Sequence, residues 1–165
     1  MNNNKYRFNL DKSRNRSSKQ TRFFLGAYRI CSSGSSFLKP FANIILFFYR
    51  TIGVAIETKS IGGGLRMPHL NGIYIHPNAI IGENCTILQQ VTIGANEHRI
   101  DYKSAPRIGN RVYIGAGAKI IGDVVIGNDV RIGANAVVTK SVPAGKTVVG
   151  YNRILDVQAE REGVI

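Results

Sequence analysis

A parallel β-helix is the fold class this sequence predicts. Three observations carry it: an aliphatic residue every six positions, a glycine recurring beside it, and a second small or aliphatic residue four places further on. Ile75, Ile81, Ile87 and Ile93 hold the register, and after an interruption Ile108, Ile114, Ile120, Ile126, Ile132 and Val138 resume it. Glycine follows directly at Gly82, Gly94, Gly109, Gly115, Gly127 and Gly133, with Gly122 displaced by one place. The second inward position falls at Ala79, Cys85, Val91, Val112, Ala118, Val124, Val130 and Ala136. An α-helix turns every ~3.6 residues, so a period of six would scatter the isoleucines around its circumference, which excludes helix here. Three six-residue rungs instead close one triangular coil, and stacked coils place the aliphatic side chains above one another in a continuous core. Glycine relieves the corners, and Asn84, Asn110, Asn128 and Asp129 suit the same places because Asx residues tolerate turn conformations. The chain is therefore mainly β.

Two departures from the period mark candidate sites. Ile61, Met67 and Ile73 keep the six-residue spacing but sit two residues out of register with Ile75, which predicts an insertion near Pro68 to Gly72. Ile93 and Ile108 are fifteen apart, three more than two rungs, which predicts a loop over Glu97 to Pro106. Loops displaced from a rigid solenoid are where sites are built. The insertion holds His69 and the loop holds His98.

With 165 residues and 44% hydrophobic composition, the chain suits one coil domain plus a short appendage. The boundaries expected are a basic, partly helical N-terminal arm over 1–52, the coil over 53–155 and a tail over 156–165. The net charge of +12 is uneven: residues 1–50 hold ten Lys or Arg against the single acid Asp11. Without interleaved aromatic binding motifs this arm does not read as a nucleic-acid binder, but as a solvated or membrane-apposed tail. The polar start lacks the charged-then-apolar order of a secretory signal. The apolar run Phe41 to Tyr49 is far short of the ~20 residues that span a bilayer, so it suits a helix lying on a membrane or packing on the domain. Cys31 and Cys85 form no CxxC pair and read as reduced packing residues.

The stretch from Gly53 to Leu155 resembles the hexapeptide-repeat acyltransferases, specifically serine acetyltransferases and related surface-polysaccharide O-acetyltransferases. The matching pieces are PHLNG (68–72), ILQQVTIG (87–94), IGAGAKIIG (114–122) and IGANAVVTKSVP (132–143). The resemblance implies a left-handed coil and a homotrimer whose sites lie between adjacent prisms, while the residues before the coil read as a short helical, basic N-terminal segment. It also makes His69 the general base. That role is chemically apt, because a hydroxyl is a poor nucleophile and an imidazole takes its proton as it attacks a thioester. The carboxylate nearest the orienting position is Glu57, since the expected aspartate is replaced by Ala55 or Val54. A second histidine usual in the serine enzymes is replaced by Ala105, leaving His98 as the nearest substitute.

The same resemblance assigns acetyl-CoA, with no metal, to a strip of Gly115, Ala116, Gly117 and Ala134, with Thr139 and Lys140 near the nucleotide phosphates and Arg153 after the last coil. His69, His76 and His98 lack the spacing of a three-histidine zinc site. The leading expectation is O-acetylation of a hydroxyl on a surface polysaccharide or its sugar precursor, in the cytoplasm, with peripheral contact to an anionic inner membrane face. The alternatives are a serine O-acetyltransferase and, from another class, a non-catalytic scaffold.

Overall fold

The computed structural model describes residues 3–32, 37–58, 60–96 and 104–155. His98 and the tail over 156–165 lie outside them. Three helices, α1 (Asn3–Arg14), α2 (Lys19–Ser32) and α3 (Lys39–Thr51), precede a prism with three sheets as faces. The first face stacks β1 (Val54–Ile56), β3 (Ile73–Ile75), β6 (Thr92–Gly94), β9 (Lys119–Ile121) and β12 (Val137–Val138). The second stacks β2 (Ser60–Ile61), β4 (Ile80–Ile81), β7 (Arg107–Ile108) and β10 (Val125–Ile126). The third stacks β5 (Thr86–Ile87), β8 (Tyr113–Ile114), β11 (Arg131–Ile132), β13 (Thr147–Val149) and β14 (Arg153–Leu155). All pairs among these strands are parallel except β13 with β14, which folds back to close the far end. The chain visits the faces in turn, so each rung contributes one inward aliphatic residue and bends at an edge.

The register follows from that stacking. Ile75, Ile93, Ile120 and Val138 lie over one another on the first face, and Ile87, Ile114, Ile132 and Val148 on the third. All ten residues of the six-residue series are at most 3% exposed. The corner Asx residues also behave as the sequence indicates. Asn84 and Asp129 take φ of 59° and 62°. Asn110 Oδ1 accepts from the Glu83 amide and Asn128 Oδ1 from the Asn110 amide, both at 2.8 Å, a side-chain ladder up one edge. Ile120→Ala, in mid-stack, is expected to cost about 2–5 kcal/mol of unfolding free energy, read from the urea midpoint, because rigid rungs above and below cannot close over the void.

Two sequence expectations need correction. Ile108 stacks on Ile81, twenty-seven residues back, where an undisturbed coil such as Ile114 to Ile132 takes eighteen. The interval from Ile93 to Ile108 is therefore one rung with nine extra residues, not two rungs with three. The insertion at 68–72 is as expected: Ile61 pairs with Ile81 across twenty residues, whereas Ile75 pairs with Ile93 across eighteen.

The second correction concerns the N-terminal arm, whose α1 and α2 are not a solvated tail but the cap of the prism. A solenoid's first coil exposes unpaired backbone groups and the open end of its core. Here side chains complete the missing ladder. The Leu65 amide donates to Asp11 Oδ1 (2.8 Å) and the Met67 amide to Asn15 Oδ1 (3.0 Å). Arg29 donates to the carbonyls of Ile61 (2.7 Å) and Gly62 (2.6 Å), Arg14 to that of Gly64 (2.6 Å), and Thr21 to that of Met67 (2.8 Å). Arg29 Nε and Asp11 Oδ2 form a buried ion pair at 2.8 Å. Burial pushes the Asp11 carboxyl up, while the Arg29 guanidinium and the Leu65 and Gly64 amides pull it back. Phe24, Leu25 and Tyr28 join the coil's core from above this polar layer.

Candidate active site

The edge joining the third face to the first carries the 68–72 insertion. Above it lie Gln89 and Gln90, then Ala116 and Gly117, then Asn135. The stacking is set by backbone bonds: Gln90 N to Asn71 O (2.8 Å), Gly117 N to Gln89 O (2.9 Å) and Asn135 N to Ala116 O (2.8 Å). His69 is exposed at the lower end of this edge, while Ala134 is exposed and Ala116 half-buried higher up. With rungs ~4.8 Å apart, the line from the His69 turn to the Ala134 turn is about 14 Å long. Five of the sequence-predicted residues, His69, Gly115, Ala116, Gly117 and Ala134, thus share one narrow strip.

The coil itself requires the two glycines. A Cβ at Gly115 would lie 2.6 Å from the Ala134 amide nitrogen, and at Gly117, where φ is +74°, it would run into Asn135 Oδ1. Above the Gln89–Gln90 rung the strip is consequently low in side-chain bulk, as an extended, thin ligand needs.

The other predicted residues lie elsewhere. Glu57 stands on the edge between the first and second faces, its amide bonded to the Ile75 carbonyl and its carboxylate paired with Arg50 of α3. His76 is one rung above it, at a corner of the coil, and its Nδ1 accepts from the Asn78 amide at 3.2 Å. Thr139 and Lys140 occupy the same edge three coils further on. Thr139 is held by Asn152, which accepts from its amide and donates to its hydroxyl, both at 2.7 Å. Lys140 is exposed, and Arg153 begins β14 on the third face.

Helix α3 lies across the foot of the first face between these two edges. On the Glu57 side it walls a cleft of about 480 Å³ with Asn43, Phe47 and Arg50 facing Ala55 and Glu57. On the His69 side Phe48, Thr51 and Ile52 wall a smaller cleft of about 280 Å³ against Leu70. Sequence reasoning missed Gln89, whose Oε1 is buried without a hydrogen-bond partner among the described residues, one rung above the His69 turn. The available signal was the Gln89–Gln90 doublet, bulky and polar where the higher coils place Ala116–Gly117 and Ala134–Asn135.

Residues 105–140 match the family described as bacterial transferase hexapeptide (six repeats). A serine acetyltransferase of Helicobacter pylori is 46% identical to this chain over 90 residues, which are 54% of this chain and 52% of that protein. A serine acetyltransferase of Mycobacterium tuberculosis is also 46% identical over 90 residues, covering 54% of this chain and 39% of the other. The chain thus spans about half the length of the curated relatives it matches, or less. Among solved structures, the soybean serine acetyltransferase apoenzyme superposes with a TM-score of 0.73 at 26% identity, covering 93% of this chain and 69% of that one. The Neisseria gonorrhoeae serine acetyltransferase in complex with serine gives 0.70 at 26% identity with the same coverage. The fold is the left-handed parallel β-helix expected from the sequence.

Proposed function

We propose that this chain is an acetyl-CoA-dependent O-acetyltransferase that uses His69 as general base and serine as acceptor. The observation that carries the reading is the single strip on which an exposed imidazole lies below Gly115, Ala116, Gly117 and Ala134. In this mechanism the imidazole takes the proton of the acceptor hydroxyl as the oxygen attacks the thioester carbonyl. Backbone N–H groups of the coil hold the oxyanion of the tetrahedral intermediate. When the carbonyl re-forms, the C–S bond breaks and the imidazolium returns its proton to the CoA thiolate. The strip receives the pantetheine arm, Lys140 and Arg153 supply cations for the nucleotide, and a neighbouring chain of a homotrimer closes the groove. Glu57 is the candidate orienting carboxylate, but it stands on the other edge of the first face and is paired with Arg50, so in that role it serves the His69 of a neighbouring chain.

Serine is favoured because the relatives reported above are named for it. A sugar hydroxyl is the second reading, favoured by Ala105, which is buried where the serine enzymes usually carry a second histidine. The test is thiol release from acetyl-CoA against serine, free sugars and a panel of capsule oligosaccharides. Turnover with serine alone is the expected result; turnover with a sugar and not serine moves the acceptor to the second reading. Silence with every acceptor, unchanged by His69→Ala, would support the scaffold alternative.

A further inference from the structure

Helix α3 is apolar on two sides. Ala42 is buried, and Leu46 and Tyr49 pack on the core, with the Tyr49 ring edge-on to Phe24 at 4.9 Å between centroids. On the opposite side, Phe37 just before the helix, then Phe41, Ile44, Phe48 and Ile52, repeat at spacings of four and three and are between 56 and 83% exposed. A helix apolar all round is stable only when both sides are covered, so this outer stripe lacks an occupant. Its surroundings state what the occupant carries. Lys12, Lys19 and Arg22 line an apolar groove of about 440 Å³ together with Phe23, Phe41 and Ile45. The one acid of residues 1–50, Asp11, is buried against Arg29 and cannot offset them.

We propose that α3 and the groove beside it form a docking surface for an anionic lipid bilayer, with the stripe entering the acyl boundary and Lys12, Lys19 and Arg22 facing the headgroups. The thirteen residues of α3 make a rod ~20 Å long, suited to lying in the interface rather than crossing it, and no helix among the described residues is long and apolar enough to cross a membrane. A second copy docked face to face through the same stripe would set these cations against one another with no carboxylate between, whereas anionic lipid supplies the missing charge. The inference rests on the helices alone and is independent of the acceptor.

The test is flotation of the full chain with phosphatidylcholine vesicles with and without 30% phosphatidylglycerol. Binding to the anionic vesicles is expected, weakened by 0.5 M NaCl. Each cation near such a surface is worth about a factor of five, so the neutralising variant K12Q/K19Q/R22Q is expected to lower partition on the order of 100-fold. F41S/I44S, at exposed positions, is expected to abolish it while leaving CoA release unchanged with any soluble acceptor the chain turns over. Failure of the intact chain to float with anionic vesicles, or equal partition into neutral ones, overturns the proposal. So does an oligomer in solution that F41S/I44S dissociates while vesicle binding is absent.

Discussion

Arg29→Ala is expected to lower the unfolding free energy by about 3–5 kcal/mol, measured as a shift of the urea or thermal midpoint. The substitution strands the Asp11 carboxylate, fully buried and still bonded to the Leu65 amide, orphans the Gly62 carbonyl at the open edge of the coil and leaves the Ile61 carbonyl only the 3.5 Å bond from Arg7. Each buried polar group left without its partner adds to the loss, because its desolvation is no longer compensated. Asp11→Ala alone should be similarly damaging. The double substitution should cost less than the sum of the two, since the remaining term is unpaired backbone rather than unpaired charge. An exposed-pair effect of less than ~1 kcal/mol for Arg29→Ala would show that the helices do not cap the coil in solution.

His69→Ala is expected to lower acetyl transfer by about 10²–10⁴-fold, the range for loss of a general base, with kcat falling and the melting temperature unmoved. The stability half of that expectation follows from exposure: His69 fills no part of the core, and surface substitutions of this kind stay within ~0.5 kcal/mol. A fall in activity accompanied by an equal loss of folded protein would remove His69 from the mechanism. Retained activity would do the same and turn attention to the loop carrying His98.

The coil was legible because a solenoid is held by neighbours in the stack, so its core requirement repeats along the chain. Ile75 through Val138 each meet the same environment, and a period of six announces it. The two-residue insertion around His69 was legible for the same reason, as a break in that period. The larger loop was misjudged because fifteen residues between Ile93 and Ile108 do not reveal how many faces are crossed; only the stacking of Ile108 on Ile81 does. The N-terminal cap was hidden more deeply. Asp11, Asn15, Thr21 and Arg29 look like solvated polar residues on basic helices, and their partners are backbone groups of Ile61, Gly62, Leu65 and Met67, which no side-chain pattern advertises.

For the site, the residue types and their segments were in the sequence, but their division between two edges was not. That His69 shares a strip with Gly115, Ala116, Gly117 and Ala134, while Glu57 turns to Arg50 and Thr139 to Asn152, depends on which corner each turn occupies. The sequence by itself determined the repeating rung, its buried aliphatic line and the place where the rung is interrupted, because these are local and periodic. Only the tertiary structure decided what closes the open end of the coil and which side of α3 is left bare. Both outcomes come from satisfying backbone groups and apolar faces far apart in the chain, and that matching exists only once the elements are packed.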